Sequence, residues 1–173
     1  MSLIAYRNRC LIADVTAMIY DDTVCHTTMQ KLHVSPTKQF AFAYCGRRIH
    51  SRIIPKVHDF IHAALLKAYI NDELPNLWPD RDKEKHQAAS RTLYIMTADR
   101  IFYWNEDNME ELELTDMSAR GTNASAFIAA TLFHPDDSGY AAKEACEFIT
   151  GFPATIDMIG MSELEHMTID EGK

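Results

Sequence analysis

The 173-residue chain has little of what marks a specialised class of protein. Six glycines and six prolines are too few for a collagen-like or low-complexity architecture. The four cysteines, Cys10, Cys25, Cys45 and Cys146, form no CxxC pair, which excludes a zinc ribbon or a thioredoxin-type redox motif. Each adjoins apolar or strand-like sequence and reads as a buried free thiol in a reducing cytoplasm. Positive charge is scarce. Lys and Arg total 17 against 25 Asp and Glu, and the net charge of −8 speaks against binding nucleic acid or an anionic membrane. No apolar run is long enough to cross a bilayer. Arg7, Arg9 and Asp14 interrupt any apolar stretch near the N-terminus, so it does not read as a signal peptide.

What remains is ordinary globular composition, 47% hydrophobic and 24% charged. The length suits one domain over residues 1–173, with an acidic tail from about 162 to 173. Strand signals dominate the first half. Leu3–Tyr6 and Cys10–Ala13 flank the turn Arg7-Asn8-Arg9 and predict a hairpin. Val15–Tyr20 and Val24–Thr28 flank Asp21-Asp22, and Leu32–Val34 and Phe40–Cys45 flank a turn at Ser35-Pro36. Apolar residues from Ile49 to Leu65 recur at three- and four-residue spacing, which predicts a helix from Arg48 to Ile70, with Pro55 kinking it or delaying its start. Residues 71–89 are polar, contain Pro75 and Pro79, and read as a loop. Thr92–Thr97 and Ile101–Trp104 read as strands around a tight turn, and Glu110–Leu114 as a further strand. Helices follow at Ala124–Phe133 and, capped by Asp137 or Ser138, at Gly139–Ile149. Thr155–Met161 reads as a last strand, and the tail as a short helix or disordered. This α+β order fits two sheets with helices on their outer faces, a four-layer αββα sandwich.

The segment MSLIAYRNRCLIAD resembles the start of proteasome β-subunits, and more closely the bacterial proteasome-related peptidase and its short phage-encoded versions. The shared pattern is a small nucleophile, a short apolar strand, a turn, an apolar strand and an aspartate. A lysine follows, and then a strand ending in a glycine before a long helix. Here those features are Ser2, Asp14, Lys31 and Gly46. RGTNASAFIAA resembles the family's glycine-serine-glycine turn into a small-residue helix, and TGFPATIDMIGM its turn into the last core strand.

The resemblance implies an N-terminal-nucleophile hydrolase. A hydroxyl is a poor nucleophile until a base takes its proton. In this family the base is the nucleophile's own α-amine, whose ordinary pKa near ~8 suits it to act as base and then acid. The resemblance makes Ser2 the nucleophile once Met1 is removed, and the small Ser2 side chain permits that removal. It makes Lys31 the cation that keeps the amine neutral and Asp14 the carboxylate that orients Lys31. Gly46 becomes the backbone donor to the oxyanion. Thr122, with Ser125 nearby, matches the supporting serine. Ala17, Met29, His33, Tyr44 and Arg48 would form a narrow, partly polar specificity pocket. Serine in place of the more usual threonine keeps the oxygen but loses the methyl group that fixes χ1, so turnover should be slower.

The resemblance further implies polypeptide substrates, self-association into stacked six- or seven-membered rings, a cytoplasmic location and no cofactor or metal. Any ATP-driven unfoldase would be a separate protein, since this chain carries no ATP-binding motif. Two alternatives stay open: a catalytically silent scaffold that keeps the fold and its assembly surfaces, and a small-molecule amidase of the same fold. His58 and His62 have the i, i+4 spacing of metal ligands, but without a glutamate base or a third ligand they read as a polar stripe at a subunit contact. Cys25 beside His26 is read as chance, because a Cys–His dyad is defined in space and not by adjacency.

Overall fold

The computed structural model describes residues 2–20, 24–46, 49–74, 92–105 and 108–169, with residues 16–20 and 24–28 described by backbone alone. Its strands are β1 (Ile4–Arg7), β2 (Cys10–Asp14), β3 (Thr16–Tyr20), β4 (Val24–Thr28), β5 (Leu32–Val34), β6 (Phe40–Cys45), β7 (Thr92–Thr97), β8 (Ile101–Trp104), β9 (Met109–Leu112), β10 (Ser118–Arg120) and β11 (Ile156–Gly160). Its helices are α1 (Ile54–Asn71), α2 (Ala124–Phe133) and α3 (Ser138–Thr150).

Asn8 and Arg9 both take positive φ, 52° and 60°, the backbone that a two-residue hairpin turn requires. That turn folds β1 onto β2 in the register Ile4↔Ala13 to Arg7↔Cys10. The hairpin is the centre of one sheet, in the order β10-β1-β2-β11, and β5 to β9 form a second sheet in chain order. β3 and β4 pair separately as a two-stranded ribbon.

Alternation along the strands decides the layers. β6 reads Phe-Ala-Phe-Ala-Tyr-Cys and every residue is buried. Phe40, Phe42 and Tyr44 pack under α1 with Val57, Ile61 and Leu65. Ala41, Ala43 and Cys45 turn to the other sheet, where Ile4, Tyr6, Leu11 and Ala13 meet them. Small residues on this inner face let the two sheets approach. The opposite face of the first sheet, Leu3, Ala5 and Ile12, is covered by Phe127, Ala130, Ala141 and Ala145 of α2 and α3. The result is the four-layer αββα arrangement, with α1 outside one sheet and α2 and α3 outside the other.

The structure moves several boundaries. α1 begins at Ile54, after a 3-10 turn at Ser51–Ile53, and not at Arg48. Pro55 lies in the first helical turn, where a missing N–H has no partner to lose. The strand expected at Glu110–Leu114 runs Met109–Leu112. The tail, read as a short helix or disordered, is helical only at its start and is placed through Ile169. A 3-10 turn at Met161–Glu163 leads to Leu164, which plugs the space between the sheets, and the Glu165 N–H donates to the Lys38 carbonyl at 2.9 Å. The polar loop read over residues 71–89 lies outside the described residues from 75 onward.

Candidate active site

The antiparallel registers collect several chain turns at one end of the sandwich. Ile4↔Ala13, Ile4↔Arg120 and Ile156↔Asp14 put the start of β1 and the ends of β2 and β10 together. Leu32↔Ala43 and Cys45↔Thr92 do the same for the start of β5 and the end of β6. Ser2, Asp14, Lys31 and Gly46, chosen from sequence, all sit at those ends.

Asp14 and Lys31 join the two sheets there. The Lys31 Nζ donates to Asp14 Oδ1 at 2.5 Å, and the side chains are only 1% and 2% exposed. The same oxygen accepts the backbone N–H of Leu3 at 2.7 Å. Burial raises the Asp14 carboxyl above its ordinary value, while the Lys31 ammonium and the Leu3 N–H pull it down. Two donors on one oxygen favour the carboxylate form, so the pair is a charge pair held without solvent. Its anchor is the peptide N–H directly after Ser2, which fixes where that residue can lie.

Gly121 and Asn123 hold Ser2 from the other side. Gly121 has φ +104°, and a Cβ on it would lie 2.1 Å from the Ser2 carbonyl oxygen and 3.0 Å from its Oγ. Only glycine permits both that backbone angle and that approach. The Asn123 N–H donates to the Ser2 carbonyl at 3.3 Å. Its side chain is buried, with Nδ2 donating to Cys146 Sγ at 3.4 Å. Burial pushes the Cys146 thiol up to about 11, so it is inert near neutral pH.

The remaining residues chosen from sequence separate into two groups. Gly46 is exposed with φ +104° at the end of β6. Thr122, an exposed residue, lies between Gly121 and Asn123, and Ser125 is exposed on α2. Met29, His33 and Tyr44 lie on the α1 side of the second sheet. Met29 packs against the core under α1, His33 stacks on Phe42 and Tyr44 at 5.1 and 6.1 Å, and the Tyr44 hydroxyl accepts from Ile49 N at 3.2 Å. The Ala17 side chain, Arg48 and Met1 lie outside the described residues. His58 and His62 are both half-buried on α1. Their rings pack on Phe40 at 5.7 and 6.5 Å and line a cavity of about 270 Å³ under the β5–β6 turn. Among the described residues, no cluster of three or more metal-ligating side chains occurs.

Sequence reasoning passed over β10, and although the resemblance marked the turn RGTNASAFIAA, it gave no role to Arg120, Gly121 or Asn123. A three-residue strand, Ser-Ala-Arg, carries no periodicity to read. Besides that resemblance, the local signal was Gly121 between two polar residues in a chain with few glycines. Burial pushes the Cys45 thiol up, and Lys31 and Arg120 both pull it down. That places Cys45, one residue before Gly46, within the field of both cations.

No helix among the described residues is long and apolar enough to cross a membrane. No family model matches the chain. No curated protein matches it either. Solved structures do. Eukaryotic HslV from Trypanosoma brucei superposes with a TM-score of 0.52 at 14% identity, over 92% of this chain and 98% of its own. BPH from Thiobacillus denitrificans in complex with epoxomicin gives 0.52 at 12% identity, over 92% and 98%. A further BPH structure from the same organism gives 0.51 at 12% identity, over 92% and 97%. At such identities the likeness is one of fold, and the chain has the proteasome-like αββα fold of N-terminal-nucleophile hydrolases.

Proposed function

We propose that this protein is a proteasome-like peptidase that uses Ser2 as an N-terminal nucleophile after loss of Met1, inside a ring built from its own copies. The observation that carries this reading is the buried Asp14–Lys31 pair tied to the N–H of Leu3. A solvent-free lysine is costly to keep as a mere structural brace, and its position beside residue 2 gives it a chemical use.

In this reading the Ser2 amine, through a water, takes the Oγ proton as Oγ attacks the peptide carbonyl. Lys31 disfavours a second positive charge on the amine and stabilises the forming alkoxide. The Gly46 N–H donates to the oxyanion, at a strand end with no side chain in the way. The amine then protonates the leaving nitrogen, the C–N bond breaks, and water hydrolyses the Ser2 ester.

Self-association is supported by the outer helices. Leu132 and Phe133 on α2 are each 79% exposed and Phe148 on α3 is 82% exposed, a loss of apolar burial that a neighbouring subunit would recover. Enclosure in a ring would confine substrates to unfolded chains, supplied by a separate ATP-driven unfoldase.

The test is hydrolysis of fluorogenic peptides by protein whose intact mass shows that Met1 is gone. Cleavage abolished by Ser2→Ala supports the reading. Mature protein with a free Ser2 that forms rings but cleaves no peptide would make it a silent scaffold. Amide cleavage confined to small molecules, by a monomer or dimer, would make it an amidase.

A further inference from the structure

We propose that Arg120 forms a carboxylate subsite beside Ser2, so that the site takes peptides with an acidic side chain or a terminal carboxylate next to the bond cleaved. The inference rests on the peptidase reading and adds its substrate class.

Position comes from the strand register. Arg120 pairs directly with Ile4, so their side chains share a face, and that face is the one turned to the second sheet. Ser2 precedes Ile4 by two residues, which is the diagonal position across the pair. Diagonal neighbours lie about 7–8 Å apart, within the reach of an arginine. Gly121, the next residue, is the one that touches Ser2. The guanidinium therefore lies on the side facing the second sheet, over Tyr103, from the strand end that adjoins Ser2.

The side chain is held in place. Its Nε donates to the Tyr103 hydroxyl at 3.1 Å, its Nη1 to the Ala119 carbonyl at 3.1 Å, and the guanidinium carbon lies 4.9 Å from the Tyr103 ring centroid. A fixed guanidinium loses little freedom on binding an anion.

What it lacks is an anion. Arg100 is stacked in the same way, on Tyr69 and Phe102, but Glu111 grips it at 2.5 Å and Asp72 lies at 3.6 Å. Lys31 has Asp14. Among the described residues no carboxylate pairs with Arg120, although the chain carries eight more acidic than basic side chains. An immobilised, exposed arginine whose Nη2 is unused presents the fork that binds a carboxylate. Such a group beside the nucleophile would also orient the substrate's backbone.

The experiment uses the full chain, produced to begin at residue 2 and carrying Ser2→Ala so that bound peptide is not consumed. Calorimetry compares three hexapeptides: a Glu-containing peptide with an amidated C-terminus, its Gln counterpart, also amidated, and the Gln peptide with a free C-terminus. One of the two carboxylate-bearing peptides should bind about tenfold more tightly than the amidated Gln peptide, as a charge-assisted bond requires, and which one does so identifies the source. Arg120→Gln should remove that advantage and Arg120→Lys should keep part of it. Equal affinity for all three peptides, no binding, or an advantage unchanged in Arg120→Gln overturns the subsite. Wild-type cleavage is read separately. A preserved carboxylate advantage without Ser2-dependent cleavage would refute the peptidase reading alone.

Discussion

Asp14 Oδ1 accepts from Lys31 Nζ at 2.5 Å and from the Leu3 N–H at 2.7 Å. One buried oxygen thus ties a cation entering the second sheet to the backbone just after Ser2. Removing either charge leaves the other buried and unpaired. Asp14→Ala and Lys31→Met should each cost about 3–5 kcal/mol in chemical denaturation. The double variant Asp14→Asn with Lys31→Met should recover most of that stability but none of the peptide cleavage. Recovery of both would reduce the pair to a structural brace.

Gly121 meets Ser2 so closely that a methyl group has no place. Gly121→Ala combines a positive φ of 104° with a contact of 2.1 Å to the Ser2 carbonyl. Thermal or denaturant unfolding should show a loss of about 1–3 kcal/mol from the strained backbone. Because the residue displaced is Ser2, reaction at Ser2 should fall far more than stability does. Unchanged reactivity would mean that Ser2 is not held by this turn.

The Cys146 thiol, pushed up to about 11 by burial, gives a pH signature. The folded state holds this proton more tightly than the unfolded state, where the value is 9.0. Its contribution is therefore fully present below pH 9 and is lost as pH rises through 11. Two pKa units correspond to about 2–3 kcal/mol. Wild type should lose that much more stability than Cys146→Ala between those pH values. At pH 8 iodoacetamide should leave Cys146 unmodified until denaturant is added. Rapid alkylation of the native protein would contradict the buried Asn123–Cys146 contact.

The exposed apolar residues of the outer helices predict assembly. Light scattering should give a mass well above that of one 19.7 kDa chain. Leu132→Glu with Phe133→Glu should shift the distribution toward monomer, since both side chains are 79% exposed in the single chain and contribute nothing to its core. A monomeric wild type would remove the ring from the account.

The layers were read from the order of strands and helices, and the alternation in β6, where aromatic and small residues take opposite faces, is the physical reason that order folds into them. The β1–β2 hairpin was readable from two apolar runs around Asn8 and Arg9. Asp14 and Lys31 came from the resemblance, not from any local pattern, because an ion pair spanning 17 residues leaves no periodic trace. The short β10 left none either; it carries Arg120 and leads into the turn that holds Gly121 and Asn123. Apolar spacing continues upstream of Ile54 through Ile49 and Ile53, which drew the start of α1 to Arg48, while Pro55 delays it to the first true helical turn, the second of the two outcomes expected of that proline.

Ser2 is the centre of the account, and intact mass spectrometry after incubation with epoxomicin tests it most directly. Protein with Met1 removed should gain the mass of one inhibitor per chain, and Ser2→Ala should gain none. A mature chain with a free N-terminal Ser2 that takes up no inhibitor, or a Ser2→Ala variant labelled as fully as wild type, would contradict the assignment.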